Sequence, residues 1–196
     1  MNKPFSQACE NNKAAILAVL SEFFADVQHV LEIGSGTGQH SVHFAAQLTH
    51  LQWCCSDRAI NHAGILQWHQ EANLANLQPP LTLDLQYDWP VKTVDAIFSA
   101  NTLHIVSWPL VVQFFYGVAK HLAAQGKLCI YGPFKYQGQF TSDSNLAFDQ
   151  FLKQQDRASG IRDIEAVTEL AKQAGLELID DIAMPANNQL LLFKRQ

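Results

Sequence analysis

The chain has 196 residues, 48% of them hydrophobic and 16% charged, which is enough for one buried core and too apolar for a disordered chain. Thirteen Lys and Arg against eighteen Asp and Glu leave a formal net charge of -5, and no basic run offers a footprint for a phosphate backbone, so no nucleic-acid partner is expected. Neither an apolar signal core at the start nor an apolar stretch near the ~20 residues of a membrane span is present, so the expectation is a cytoplasmic protein without a membrane partner. Cys9, Cys54, Cys55 and Cys129 contain no C-x-x-C spacing, which predicts reduced thiols and no metal site.

In chain order, Ile16, Val19, Leu20 and Phe23 recur at helical spacing, so about Ser6 to Ala25 is predicted as an amphipathic helix. Val27 to Ile33 reads as a strand, Gln39 to Leu48 as a helix, Leu51 to Ser56 as a second strand, and Arg58 to about Asn76 as a helix ending before Pro79-Pro80. Strands follow at Leu81 to Leu85, Val94 to Ser99 and Lys127 to Tyr131, with a helix from Trp108 to Ala124 between the last two. This alternation implies a parallel sheet covered on both faces. Residues 132–163 break the rhythm as a long polar and aromatic excursion with one helix near Ser144 to Gln155. A helix from about Ile164 to Ala174 and two strands, Leu176 to Ala183 and Gln189 to Lys194, close the chain; the short turn between the strands makes them antiparallel. With no repeat or linker, residues 1–196 are expected to form a single domain.

The motif with the most chemistry is Val30-Leu-Glu-Ile-Gly-Ser-Gly-Thr-Gly38, an apolar strand carrying Glu32 into Gly34, Gly36 and Gly38. Glycines let the main chain approach a ligand closely, and the free N–H groups of the following helix point at it. A dinucleotide fingerprint would put its third glycine at position 39, where Gln39 stands, so an NAD-dependent oxidoreductase is a weaker alternative. Because an open parallel sheet binds ligands beyond the carboxyl ends of its strands, Asp57, Asp84 and Asn101 join the glycine turn as candidates.

With that series of strand ends, the chain resembles the class I S-adenosylmethionine-dependent methyltransferases over nearly its whole length. The resemblance implies a Rossmann-like three-layer α/β sandwich whose seven-stranded, mostly parallel sheet has an antiparallel C-terminal strand. It also implies S-adenosylmethionine as cofactor, with Gly34, Gly36 and Gly38 along the methionine portion, Asp57 at the ribose, Asp84 at the adenine amino group, Asn101 at the amino-acid end and Glu32 acting through the turn or a water. A narrower set of motifs, including Asn101-x-x-His-Ile105, Tyr131-Gly-Pro-Phe134, Thr141-Ser-Asp-Ser-Asn145 and Met184-Pro-Ala-Asn-Asn188, resembles an uncharacterised methyltransferase-like family of the UPF0585 type. The expected reaction is direct methyl displacement onto a small-molecule acceptor.

Several candidates carry a plainer alternative. His104 is the general-base candidate, yet a packing histidine is as common, and displacement from a sulfonium gains much from alignment alone. Tyr131, Phe134, Tyr136 and Asn145 are candidates for the substrate side, against simple core packing of the aromatics. Asp57 and Asp84 compete with readings as helix caps or solvated carboxylates. Without a decisive catalytic residue, a non-catalytic S-adenosylmethionine-binding sensor or interaction module is the alternative to an enzyme.

Overall fold

The computed structural model describes residues 3–196. Two helix-strand-helix units open it: α1 (Gln7–Phe23), β1 (His29–Ile33), α2 (Gln39–Gln47), β2 (Gln52–Asp57), then a 3-10 turn and α3 (His62–Ala72). They are followed by β3 (Leu77–Thr82), β4 (Val94–Ala100), α4 (Trp108–His121) and β5 (Leu122–Gly132). The strands assemble in the order β3, β2, β1, β4, β5, β10, β9, with β9 at Leu176–Met184 and β10 at Asn188–Arg195. β10 runs antiparallel between β5 and β9, and the other strands are parallel, so the α/β architecture is the one the sequence predicts.

Strand alternation sorts the core into two layers. Leu31 and Ile33 on β1 face Val111, Phe114, Val118 and Val167 from α4 and α6 (Ile164–Gln173). Val30 turns the other way, with Trp53 and Phe98, onto Ile16 and Leu20 of α1, Phe24 just after it, and Phe44 of α2. The sheet is thus sandwiched between helices.

Three sequence expectations are corrected. Pro79-Pro80 does not precede the third strand but lies within β3, which is tolerated because β3 is an edge strand and a missing N–H there breaks no ladder. That strand ends at Thr82, so Asp84 stands in the loop beyond it. Residues 132–163 carry the expected helix, α5 (Asp143–Gln155), but also strands the sequence did not predict: β6 (Phe134–Tyr136), β7 (Gln139–Phe140) and β8 (Arg162–Asp163) form a second, three-stranded sheet.

Candidate functional site

β1 is flanked by β2 on one side and β4 on the other: the chain builds outward through β2 and β3, then returns across to β4, so the strand order reverses direction at β1. That switch point opens a crevice at the strand tips. Gly34 follows β1 and Asn101 follows β4, one on each lip, and Asn101 holds a left-handed φ of 56° while donating its N–H to the Tyr131 carbonyl at 2.8 Å.

The glycine turn is braced from below. The N–H groups of Gly34 and Ser35 both donate to the Ser56 carbonyl, at 3.0 and 3.1 Å, while the Ser56 hydroxyl donates to the Glu32 carbonyl at 2.7 Å. Gly34 and Gly36 differ in what surrounds them. A Cβ on Gly34 would meet Thr102 Oγ1 at 2.5 Å, whereas one on Gly36 would meet nothing within 4 Å and would project into open space. Gly36 therefore keeps open a cradle that any side chain would fill.

Two adjoining cavities share Gly34, Asn101 and Ile105. The first, of about 490 Å³, is walled by Asp57, Arg58, Leu83, Asp84 and Leu85. The Asp57 carboxylate accepts from Gly36 N–H at 2.7 Å, Arg58 N–H at 2.7 Å and Asn61 Nδ2 at 2.8 Å, which ties the second strand tip to the glycine turn. Asp84 Oδ1 accepts from Gln86 N–H at 3.0 Å, and no described residue donates to Oδ2. The second cavity, of about 690 Å³, brings Gly34, Gly36, Asn101, His104, Tyr131 and Asn145 together with the start of α1 and residues 185–188.

Four sequence candidates fall outside both cavities. Glu32 is 1% exposed, beneath the turn, where its carboxylate accepts from the Trp53 indole at 2.8 Å; burial pushes its pKa up to about 7 against the hydrogen bonds from Trp53 and Ser35. Gly38 begins α2 at φ +85°, and a Cβ there would press on Ile65 Cα at 3.2 Å, so its glycine permits α2 to pack on α3. Phe134 and Tyr136 are two residues apart on β6 and share a face, which puts both against the core under α6. Tyr136 donates its hydroxyl to Asp181 at 2.6 Å and accepts from Gln189 Nε2 at 2.7 Å, well away from the switch point.

His104 is 5% exposed, packs edge-on against Phe148 and lines the larger cavity. Burial, with the Arg162 charge behind it, lowers its pKa to about 4, so it is a neutral imidazole at physiological pH. Neither ring nitrogen has a hydrogen-bond partner among the described residues. Tyr131, also buried, has its pKa raised by burial, tempered by the amides of Asn12 and Asn188 beside its hydroxyl.

The site candidates read from the sequence include no residue of the N-terminal helix, although the Phe5-Ser and Asn11-Asn-Lys motifs belong to the narrower family resemblance. Asn12 on α1 is buried and pairs with His40 Nε2 on α2 at 2.6 Å. Gln39 accepts from Ser6 N–H at 2.6 Å and donates to Glu10 at 2.6 Å. The Trp68 indole donates to the Pro4 carbonyl at 2.7 Å, so the chain start is strapped over α2 and α3. The signal available was Asn12 on the same helical face as Ile16 and Leu20, a polar residue on a buried stripe.

A family model described as "Protein of unknown function (DUF938)" matches residues 3–195. The chain belongs to this family. Solved structures extend the comparison of the DUF938 chain to fold. An O-methyltransferase family protein from Burkholderia thailandensis superposes with a TM-score of 0.83 at 14% identity, over 94% of this chain and 56% of that one. SibL, described as an S-adenosylmethionine-dependent methyltransferase in its apo form, gives 0.81 at 19% identity, over 95% and 55%. NcsB1, an O-methyltransferase from neocarzinostatin biosynthesis in complex with S-adenosylmethionine and 2-hydroxy-5-methyl naphthoic acid, gives 0.80 at 15% identity, over 96% and 55%. The chain spans little more than half the length of these proteins, and the likeness is one of fold.

Proposed function

We propose that this DUF938 protein is an S-adenosylmethionine-dependent methyltransferase of the UPF0585 type acting on a small-molecule acceptor by direct displacement, as a single domain over residues 1–196. The observation that carries the reading is the pair of cavities meeting at Gly34 and Asn101 on the switch point: one is acidic, with Asp57 and Asp84 beyond β2 and β3, and the other holds His104. Each lies within the ~300–1,000 Å³ of small-ligand sites. The solved O-methyltransferases of the same fold, one with S-adenosylmethionine in its described complex, support the choice of cofactor.

The residues present fit that cofactor. Asp57 and Asp84 offer acceptors for ribose hydroxyls and an adenine amino group, the open cradle at Gly36 admits close backbone approach, and the free N–H groups opening α2 suit a carboxylate. When bound, S-adenosylmethionine supplies a sulfonium methyl whose departure leaves a neutral thioether. Asn101 is placed at the junction, where it orients whatever spans the two cavities. His104 holds an unpartnered ring nitrogen toward the acceptor side. A base of such low pKa does not ionise a hydroxyl beforehand; it takes the proton as the acceptor oxygen becomes acidic during bond formation.

Label transfer tests catalysis. Methyl-labelled S-adenosylmethionine incubated with a small-metabolite extract is expected to pass label to a soluble product with the wild-type protein and not with Gly36→Arg, whose side chain fills the cradle. Binding of the cofactor without any transfer would overturn the enzymatic reading in favour of a binding module.

A further inference from the structure

The loop after β4, residues 101–107, brings Asn101 and His104 to the junction of the two cavities without helix or strand of its own. Its first residue is held by β5, through the bond from Asn101 N–H to the Tyr131 carbonyl. The next residues are held from the opposite end of the chain. Four consecutive carbonyls accept from one four-residue segment at the close of the 132–163 excursion: Leu103 from Arg162 Nε at 3.0 Å, His104 from Gly160 N–H at 2.9 Å, Ile105 from Ser159 Oγ at 2.6 Å, and Val106 from Arg162 Nη2.

The segment that makes these bonds is itself fixed. Ile161 N–H donates to Asp149 Oδ1 at 2.8 Å and Ser159 N–H to the Asp156 carbonyl at 3.0 Å, while a Cβ on Gly160 would meet Asp149 Oδ1 at 2.9 Å, so the main chain runs tight against α5. Arg162 stands out within it. Its half-buried guanidinium lies 5.9 Å from the centre of the Trp108 ring, and its hydrogen bonds among the described residues all go to main-chain carbonyls, the third being that of Ala158 at 3.0 Å. Carboxylates nearby are committed to lysines, Asp163 to Lys135 at 3.2 Å and Asp149 to Lys153 at 2.6 Å. Partial burial of a cation without a paired carboxylate is costly, and a planar fork can span the Leu103 and Val106 carbonyls where a lysine ammonium cannot.

We propose that Arg162 is a positioning residue for methyl transfer: with Ser159 and Gly160 it fixes residues 103–106, and through them it places the His104 imidazole on the acceptor side. Arg162 lines neither cavity. Burial keeps the His104 ring neutral, and the Arg162 charge adds to that effect. Displacement depends on placement, since an error of about 1 Å in aligned groups costs on the order of a hundredfold in rate. Because Asn101 is held separately by β5, Arg162 governs the transfer step more than cofactor affinity. The role in transfer rests on the methyltransferase reading; the bracing of the loop belongs to the fold.

Three measurements on the full chain test this with Arg162→Lys, which keeps the charge and loses the fork. Hydrogen exchange is expected to quicken at the Gly160 amide, bonded to the His104 carbonyl, and at the Ile105 and Val106 amides, bonded to the Thr102 carbonyl. S-adenosylhomocysteine affinity by isothermal titration is expected to stay within about threefold of wild type, while label transfer from saturating methyl-labelled S-adenosylmethionine into a small-metabolite extract falls about tenfold or more. Loss of folded protein would lower binding and transfer together, so the split between them marks positioning. Ser159→Ala removes one of the four contacts and is expected to give the same pattern more weakly; it carries the comparison if Arg162→Lys does not fold. Unchanged exchange at these amides, unchanged transfer, or equal losses of binding and transfer overturn the proposal. A wild-type protein that neither binds S-adenosylhomocysteine nor transfers label overturns the methyltransferase reading, and with it the role in transfer, while faster exchange in the variant still upholds the brace.

Discussion

Beneath the glycine turn, Glu32 is a carboxyl held in an apolar layer with Trp53 and Phe98, and its elevated pKa has a measurable consequence for stability. The unfolded chain releases this proton near the ordinary glutamate value of 4.5 and the folded chain near 7, so between those values the folded state binds more protons and stability falls as pH rises. The fall amounts to up to about 3 kcal/mol and levels off above the folded value. Glu32→Gln preserves an oxygen for the Trp53 indole and removes the titration. Urea unfolding at pH 5 and pH 8 is expected to show the wild-type protein losing stability over this interval and the variant losing less; parallel curves would contradict the assignment. The acidic residue before the three glycines was visible in the sequence, but its burial was not, because motif spacing says where a residue falls along a strand and nothing about how deep the strand lies.

At the scale of elements, the site depends on how α1 is fixed to α2. The pair of Asn12 and His40 is buried, and burial lowers the His40 pKa to about 4, so a neutral imidazole donates to the amide oxygen. Asn12→Ala leaves His40 Nε2 without that partner and is expected to cost about 1–3 kcal/mol in thermal or urea unfolding. The same variant is expected to raise hydrogen exchange in the first turns of α1; unchanged stability and exchange would show that the contact does not anchor the helix.

Elements of this kind divide by how local their cause is. The alternation of strand and helix from β1 to β5 was legible because hydrophobic period and glycine punctuation act within a few residues. The edge position of β3 was not, since only the strand order tells that Pro79 and Pro80 break no ladder. Nor were β6, β7 and β8 legible: strands of two or three residues carry too few alternations to declare a face, and that face is what removes Phe134 and Tyr136 from the cavity.

Across the whole molecule, strand order decides where chemistry gathers. Asp57, Asp84 and Asn101 are far apart in sequence, and the reversal of crossover direction at β1 brings their strand tips to one crevice beside Gly34. The crevice has an acidic half and an uncharged half, joined at Gly34 and Asn101. A two-part ligand that reaches from one half to the other explains both, and isothermal titration with S-adenosylmethionine and S-adenosylhomocysteine tests that directly. Both ligands are expected to bind with a dissociation constant on the order of micromolar, weakened about tenfold by Asp84→Ala, since Asp84 lines the cavity and one of its oxygens has no described donor. No binding of either ligand at millimolar concentration to the folded protein would contradict the account.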